Sequence, residues 1–239
     1  MKKDLLYTDL AGFYDTIYAD KDYKKECEWL IKLIAENKTS PGNKLLDIAC
    51  GTGNHILYLK DKFICVGMDK NPAMLNIAKE KLPGITFYNQ DMRQYITDTY
   101  DIIICMFSSI AYLESYKNFT KVIDNINNAL EPGGIVIIQP WFEVDKFTPG
   151  IAYTKIYDNM IRVSMAHIDG ICSVVEYHYL ITDDNKIKHI VDNHKMALFD
   201  IPKLIDIMND KEIESKFIPP HNDNGRGLII GVKKQEQLS

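Results

Sequence analysis

The sequence predicts an α/β fold: a mostly parallel sheet covered by helices on both faces, with an antiparallel β meander inserted into it. Three observations predict this. Up to residue 139, strand-length apolar runs alternate with helix-length amphipathic stretches across short links, the rhythm of a parallel sheet. The strand runs are apolar nearly throughout, as strands buried on both faces must be. After Pro140 the rhythm changes to consecutive strand-like runs parted by Asp158-Asn159, Asp169-Gly170 and Asp183-Asp184-Asn185-Lys186, which is hairpin chemistry.

The elements follow in order. Residues 22–37 (DYKKECEWLIKLIAEN) put Trp29, Leu30, Leu33 and Ile34 on one helical face. Ser40-Pro41-Gly42-Asn43 is a turn. Residues 44–49 are a first strand, 54–62 a helix and 63–68 (FICVGM) a second strand. Asn71 caps a helix that Pro72 opens, that runs to Leu82, and that Pro83-Gly84 stops. Residues 85–88 and 100–107 (YDIIICMF) are the third and fourth strands, with an amphipathic helix over 115–130. The turn Glu131-Pro132-Gly133-Gly134 leads to a fifth strand at 135–139. The meander takes 151–157, 159–168, 171–182 and 187–199; a helix over 201–209 and strands over 213–218 and 227–233 finish a seven-stranded, Rossmann-like sheet. The expected organisation is N-terminal helices and α/β core over 1–143, an inserted antiparallel subdomain on the substrate side over 144–199, and a helix and strands completing the core over 200–239. Ligands bind such sheets beyond the carboxyl ends of the strands.

Composition narrows the partners. At 239 residues and 46% hydrophobic, the chain is one large domain or one domain carrying an insertion. With 28 basic against 33 acidic residues the net charge is -5, and no basic run exceeds Lys24-Lys25 or Lys233-Lys234, so no nucleic acid is expected as a partner. The five cysteines (27, 50, 65, 105 and 172) form no C-x-x-C pair, and scattered thiols in apolar runs suggest a reducing compartment. MKKDLLYTDL has no apolar core of a leader, and no run of about 18 apolar residues exists, so no membrane partner and a cytoplasmic location are expected. The six histidines form no H-x-x-x-H pair and join no cysteine at metal spacing, so no metal is expected.

The chemistry begins at 45–54, LLDIACGTGN, where a strand turns into a helix. Gly51 and Gly53 allow a sharp turn and a close approach to a ligand. Ile56 occupies the place of the third glycine of G-x-G-x-x-G, and no Lys-Ser or Lys-Thr follows, so neither a dinucleotide fingerprint nor a P-loop is complete. What remains is D-x-A-x-G-x-G, with Ala49 as the small residue. Asp47 would repel a pyrophosphate and attract an ammonium group. Asp69, closing the second strand, can grip both hydroxyls of a ribose. Asp91, after the third strand, can accept from an adenine amino group, with Met92, Met68 and Met106 as apolar neighbours for the ring. Taken singly, Asp69 is equally a helix cap and Asp91 a surface turn. Three carboxylates at successive strand ends, in order, describe S-adenosylmethionine, which combines an amino acid ammonium, a ribose and an adenine without phosphate.

On these residues the chain resembles the class I S-adenosylmethionine-dependent methyltransferases. Further blocks recur in order: YDTIYADKDY (14–23), GMDKNPAML (67–75), NQDMRQY (89–95), CMFSSIAYL (105–113), LEPGGIVIIQPWF (130–142), IRVS (161–164), VEYHY (175–179), KHIVDNHKMALF (188–199) and GRGLIIGV (225–232). Together they are similar to the bacterial N,N-dimethyltransferases of desosamine and mycaminose biosynthesis, which methylate the 3-amino group of a dTDP-linked deoxysugar. The resemblance implies that Lys70, Met74, Met92 and Met106 join Asp47, Ala49, Gly51, Gly53, Asp69 and Asp91 on the cofactor side. It places Tyr14 over the cofactor, bonding its carboxylate or facing the sulfonium, or else packing a helix. On the acceptor side it implies Tyr7, Ser108, Trp141, Arg162, His178 and Arg226. The arginines suit pyrophosphate oxygens, although Arg162 on a strand equally suits solvent, Trp141 equally suits the core, and His178 and His194 equally suit structural roles. The chain departs from the branch at Ala19-Asp20, at Phe142, at Met165 and at His221-Asn222-Asp223-Asn224.

Methyl transfer is an in-line displacement at a sulfonium, and holding the reactants about 3 Å apart and aligned is worth roughly 7–11 kcal/mol. A neutral amine is a good nucleophile, so an acceptor that orients it is enough. Tyr112, in SSIAY, is placed to be that catalytic acceptor, or is a packing aromatic. Two other readings stay open: methylation of another small metabolite at nitrogen or oxygen, and a non-catalytic S-adenosylmethionine-binding protein. A DNA amino-methyltransferase would carry N-P-P-Y or D-P-P-Y where CMFSSIAYL stands. The exposed edges of the meander suit a homodimer.

Overall fold

A computed structural model describes residues 4–184, 186–220 and 226–235. The core sheet has the order β10-β11-β5-β4-β1-β2-β3. β1 (Lys44–Ile48) lies between β2 (Ile64–Asp69) and β4 (Tyr100–Cys105), with β3 (Thr86–Asn89) outside β2 and β5 (Leu130–Ile138) outside β4, all parallel. β11 (Leu228–Lys233) runs antiparallel to β5, and β10 (Ile213–Ile218) antiparallel to β11. Buried clusters on both faces of this sheet explain why β4, for example, is apolar at Ile102, Ile103 and Ile104 alike.

The helices begin where capping chemistry permits. The Asp22 side chain accepts from Lys25 N–H (2.9 Å) and starts α2 (Tyr23–Asn37), after the single turn of α1 (Tyr14–Ile17). The buried face of α2 carries Cys27, Leu30, Leu33 and Ile34, and Trp29 packs only at its margin. α3 (Asn54–Leu59) stops three residues short of the predicted end. α4 (Pro72–Lys81) opens on the predicted proline, and Ser115 caps α5 (Tyr116–Ala129). The expected turn at 131–134 is instead a bulge within β5: pairing with β4 jumps from Tyr100↔Leu130 to Ile102↔Ile135. Gly133 sits there at φ 75, and a Cβ on it would strike Thr39 Oγ1.

The meander is a separate antiparallel sheet, β6 (Tyr153–Tyr157), β7 (Met160–Asp169), β8 (Cys172–Asp183) and β9 (Lys186–Ala197), in that order. α6 (Ile201–Asn209) then returns the chain to β10. A third apolar cluster joins Leu5, Leu6, Leu10 and Ile17 to Met74 of α4 and to Met160, Tyr179 and Ile181 of the meander. The N-terminal segment therefore lies between the core and the inner face of the meander. All five cysteines are buried. Among the described residues no helix is long and apolar enough to cross a membrane, and no three His, Cys, Asp or Glu side chains gather to hold a metal. Of the positions read from sequence, Asn185, His221-Asn222-Asp223-Asn224 and Gly225 lie outside the described residues.

Candidate active site

The loop after β1 is built from left-handed residues: Ala49 at φ 57, Gly51 at φ 56 and Gly53 at φ 77. Glycine takes this region freely, whereas alanine at 49 is a strained position held by its surroundings. The path turns Gly51 N–H toward the end of β2, where it donates to Asp69 Oδ2 (2.9 Å); Asp69 Oδ1 accepts from Asn71 N–H (2.8 Å). Burial raises the Asp69 carboxyl above its ordinary value, and these two backbone donors pull the other way.

A cleft of about 740 Å³, open to solvent, runs past these groups. Ala49, Gly51, Asp69, Lys70 and Met74 line it, together with Asp91 and Met92. Tyr7 and Tyr14, from the N-terminal segment, face it. Asp91 is committed to a neighbour: its Oδ1 accepts from Arg93 N (2.8 Å) and Nε (2.9 Å), and its Oδ2 from a terminal nitrogen of Arg93 (2.6 Å). That pairing holds its carboxyl below the usual range.

Beneath Tyr14 the cleft continues into a chamber of about 330 Å³ lined by Tyr23, Asp47, Cys50, His55 and Met106. Asp47 is only 1% exposed, and its Oδ2 has no hydrogen-bond partner. Burial pushes its carboxyl up to about 7. An unpartnered buried oxygen is costly, and here it lies where a ligand's cationic group would satisfy it.

A second cavity, about 1110 Å³, lies under the meander. Four cations line it: Lys21, Lys155, Arg162 and Arg226. Lys21 pairs with Glu26 (2.6 Å) and Lys155 with Asp20 (2.7 Å). Among the described residues the guanidinium groups have no carboxylate partner; they stack on aromatic rings. Arg226 lies 4.7 Å from the Trp141 ring centroid, and Arg162 lies 5.3 Å from Tyr177 and 5.8 Å from Tyr18. One terminal nitrogen of Arg162 is buried without a hydrogen-bond acceptor. Arg162 thus points inward, and the alternative of a solvent-facing strand residue is set aside.

Tyr7, Phe107 and Tyr112 line both cavities and form the seam between them. Phe107 and Ser108 take φ 55 and φ 61, two successive left-handed residues at the end of β4 that turn the Phe107 ring into the seam. Tyr7 Oη bonds Tyr112 Oη (2.8 Å), which bonds His194 Nδ1 (2.5 Å). Burial raises both phenols well above their ordinary value.

Several sequence expectations need correction. Ser108 is buried at 1% and donates to Pro140 O (2.7 Å), so its hydroxyl faces neither cavity. His178 lies on the outer face of the meander, bonded to Glu176 and His189 at 2.9 Å each; the strand alternation that turns Tyr177 and Tyr179 inward turns it out. Gly53 lines none of these three cavities: its Cβ would come within 2.9 Å of Leu82, so it lets α3 pack against α4. Met68 is in the core, and Met106 sits beside Asp47 rather than at the Asp91 end, where Leu113 stands with Met92. Sequence reasoning missed Tyr18, Lys21, Phe107, Tyr177 and His194. One signal existed for His194: Asp192 and His194 are two apart on a strand and share a face.

The chain is similar to known methyltransferases. Residues 45–134 match the family model described as a methyltransferase domain. The chain is 29% identical over 233 residues, 94% of its length and 91% of the relative, to the dTDP-3-amino-3,6-dideoxy-alpha-D-glucopyranose N,N-dimethyltransferase of Streptomyces fradiae. It is 32% identical over 245 residues, 96% of its length and 88% of the relative, to the ubiquinone/menaquinone biosynthesis C-methyltransferase of Wigglesworthia glossinidia brevipalpis. Among solved structures, the sugar N-methyltransferase KedS8 from Streptoalloteichus superposes with TM-score 0.84 at 28% identity, covering 93% of each chain.

Proposed function

The chain belongs to the S-adenosylmethionine-dependent methyltransferases, and from that premise we propose that it methylates the amino group of a nucleotide-linked amino deoxysugar carried on dTDP. The observation that carries this reading is the pair Arg162 and Arg226. In a chain of net charge -5, two guanidinium groups without carboxylate partners among the described residues line one cavity whose seam meets the cofactor cleft. Planar guanidinium groups suit pyrophosphate oxygens. The relatives named for dTDP-amino sugars support the same acceptor.

The cofactor fits the residues present. Asp47 Oδ2 is buried without a partner, and Gly51, at φ 56, takes a backbone that disfavours a side chain, with a Cβ there coming within 3.3 Å of Met74 Cε. When bound, S-adenosylmethionine supplies an electrophilic methyl group on sulfur. In this reading Asp47 receives the cofactor's ammonium and Asp69 the ribose hydroxyls. Lys70 and Met74 line the ribose region, and Asp91, Met92 and Leu113 the adenine end. Tyr14 covers the methionine end, with Met106 beneath it. Tyr112 accepts a hydrogen bond from the acceptor amine, and Tyr7 sits beside it at the seam. Trp141 walls the acceptor. Residues 1–143 then hold the donor, 144–199 cover the acceptor, and 200–239 complete the sheet. The free edges at β6 and β9 suit a homodimer.

One observation favours a second reading, a different small-metabolite nitrogen or oxygen acceptor. Asp20, in the link that departs from the branch, lines the acceptor cavity itself. The test is mass spectrometry of S-adenosylmethionine with a dTDP-3-amino-3,6-dideoxyhexose. Gains of one and then two methyl groups are expected. No gain, with cofactor binding intact by calorimetry, transfers the reading to another acceptor.

A further inference from the structure

A line of hydrogen bonds runs from the protein interior to the seam between the two cavities. Asp192 is fully buried. Its Oδ1 accepts from Leu5 N–H (2.9 Å), and its Oδ2 accepts from Leu6 N–H (2.8 Å) and bonds His194 Nε2 (2.9 Å). His194, 2% exposed, bonds Tyr112 Oη through Nδ1, and Tyr112 bonds Tyr7. The direction of the line is set at its buried end. Burial raises the Asp192 carboxyl, but His194 and the two backbone donors outweigh it and leave the group below its ordinary value, hence ionised and accepting only. His194 Nε2 therefore carries a proton. In the neutral ring Nδ1 is then an acceptor, and the Tyr112 hydroxyl donates to it. The oxygen lone pairs of Tyr112 are left for Tyr7 and for whatever occupies the seam.

We propose that the Asp192–His194 pair, acting through Tyr112, takes the proton that an acceptor amine must lose before it is methylated. The inference rests on the reading that the acceptor is an amine. An amine arrives largely as ammonium at neutral pH and has no lone pair in that form. One N–H passes its proton to Tyr112 Oη as the Tyr112 proton moves to His194 Nδ1, leaving an imidazolium beside Asp192. The freed nitrogen lone pair forms the N–C bond while the S–C bond breaks and sulfur keeps the electron pair. The product is again an ammonium, so each further methyl needs the proton on His194 to leave to solvent first. Tyr112 is the catalytic residue here and His194 a positioning residue behind it.

Groups of both signs face His194, and those nearest the imidazole nitrogens favour an imidazolium. Asp4 Oδ1 lies 4.0 Å from Nδ1, and the rings of Tyr7 and Tyr177 meet the imidazole edge-on at 5.4 and 5.1 Å. Lys70 lies 5.9 Å from the Tyr112 ring and is offset by its own pairing with Asp4 at 3.8 Å, while Arg162 and Arg226, across the cavity that His194 also lines, oppose an imidazolium.

The test compares wild type, Tyr112→Phe and His194→Gln, measuring methyl transfer to the dTDP-3-amino-3,6-dideoxyhexose between about pH 6 and 10. Both variants are expected to lose about 100-fold in kcat/KM at pH 7, the scale of general-base assistance. Both regain rate, roughly tenfold per pH unit, as solution supplies the neutral amine. The cofactor Kd stays at the wild-type value. Tyr112→Phe keeps the ring and carries the test if His194→Gln does not fold. Losses that are the same at every pH overturn the relay and leave the amine reading standing, because wild type still methylates. A wild type that methylates an alcohol and no amine overturns both.

Discussion

The donor side and the acceptor side of this molecule are assembled in different ways. On the donor side the chemistry follows the backbone: Asp47, Asp69 and Asp91 come at the ends of β1, β2 and β3, and Asp69 is oriented by backbone donors of the neighbouring turns. On the acceptor side Tyr7, Tyr112, Arg162, Tyr177, His194 and Arg226 come from six separate segments and meet only when the meander closes over the N-terminal turns. In the proposed reading donor recognition is therefore local, and acceptor recognition depends on tertiary register. That difference fits a fold whose relatives are named as an N,N-dimethyltransferase of a dTDP-amino sugar in one case and a C-methyltransferase of ubiquinone/menaquinone biosynthesis in another.

The largest test of this division is Asp47→Ala. Removing the partner of a buried charge costs about 3–5 kcal/mol, so the cofactor Kd should rise by more than about 100-fold. Calorimetry measures it, and the folded apo protein should persist, because Asp47 Oδ2 has no hydrogen-bond partner there to lose. A normal cofactor Kd would remove the ammonium role from Asp47. The next test is Arg226→Ala. A charge-assisted bond is worth roughly 1.5–3 kcal/mol, which predicts about 10- to 100-fold in KM for a dTDP-sugar, with the cofactor Kd unchanged. Equal losses on both ligands would break the separation of the two sides. Arg226→Lys should recover only part of the loss, since an ammonium cannot stack on Trp141 and bind two oxygens at once.

The same division explains what the sequence made readable. Strand and helix periods placed the parallel core, the four meander strands and α6 within a few residues, because each reflects burial along one segment. The bulge at Gly133 was missed because four residues of turn composition stand inside β5, between the paired residues Leu130 and Ile135. On the donor side a carboxylate just past an apolar run needs no further information to be placed. In the meander, alternation separates two faces without saying which is inside. Ile161 and Met165 on the outer face are as apolar as any inner residue, yet 37% and 52% exposed. His178 and His194 were thus indistinguishable until the register, and the N-terminal segment that covers one face, were known. Ser108 was misplaced for a related reason: its left-handed backbone turns the hydroxyl to Pro140.

The smallest effect sharpens the donor side by titration. Burial lifts the Asp47 carboxyl from 3.8 to about 7 in the folded apo protein. Between these values the folded state holds a proton that the unfolded chain has released, so this group's contribution to stability is full below pH 3.8 and falls as pH rises to about 7. Glu26 acts oppositely and elsewhere. Burial would raise it, but bonds to His55 and Lys21 hold it down at about 2, so its contribution is lost only as pH falls through the acid range. An ammonium bound at Asp47 favours the ionised form and expels the proton. Cofactor affinity should therefore weaken roughly fivefold from pH 7 to pH 6, and weaken again above about pH 8 as the cofactor's own amine deprotonates. Calorimetry in buffers of different ionisation enthalpy would read proton release on the acid limb. Asp47→Asn should flatten that limb and leave the alkaline one, whereas an acid limb that survives the substitution would assign the titration to Asp69, the other raised carboxyl of the cleft.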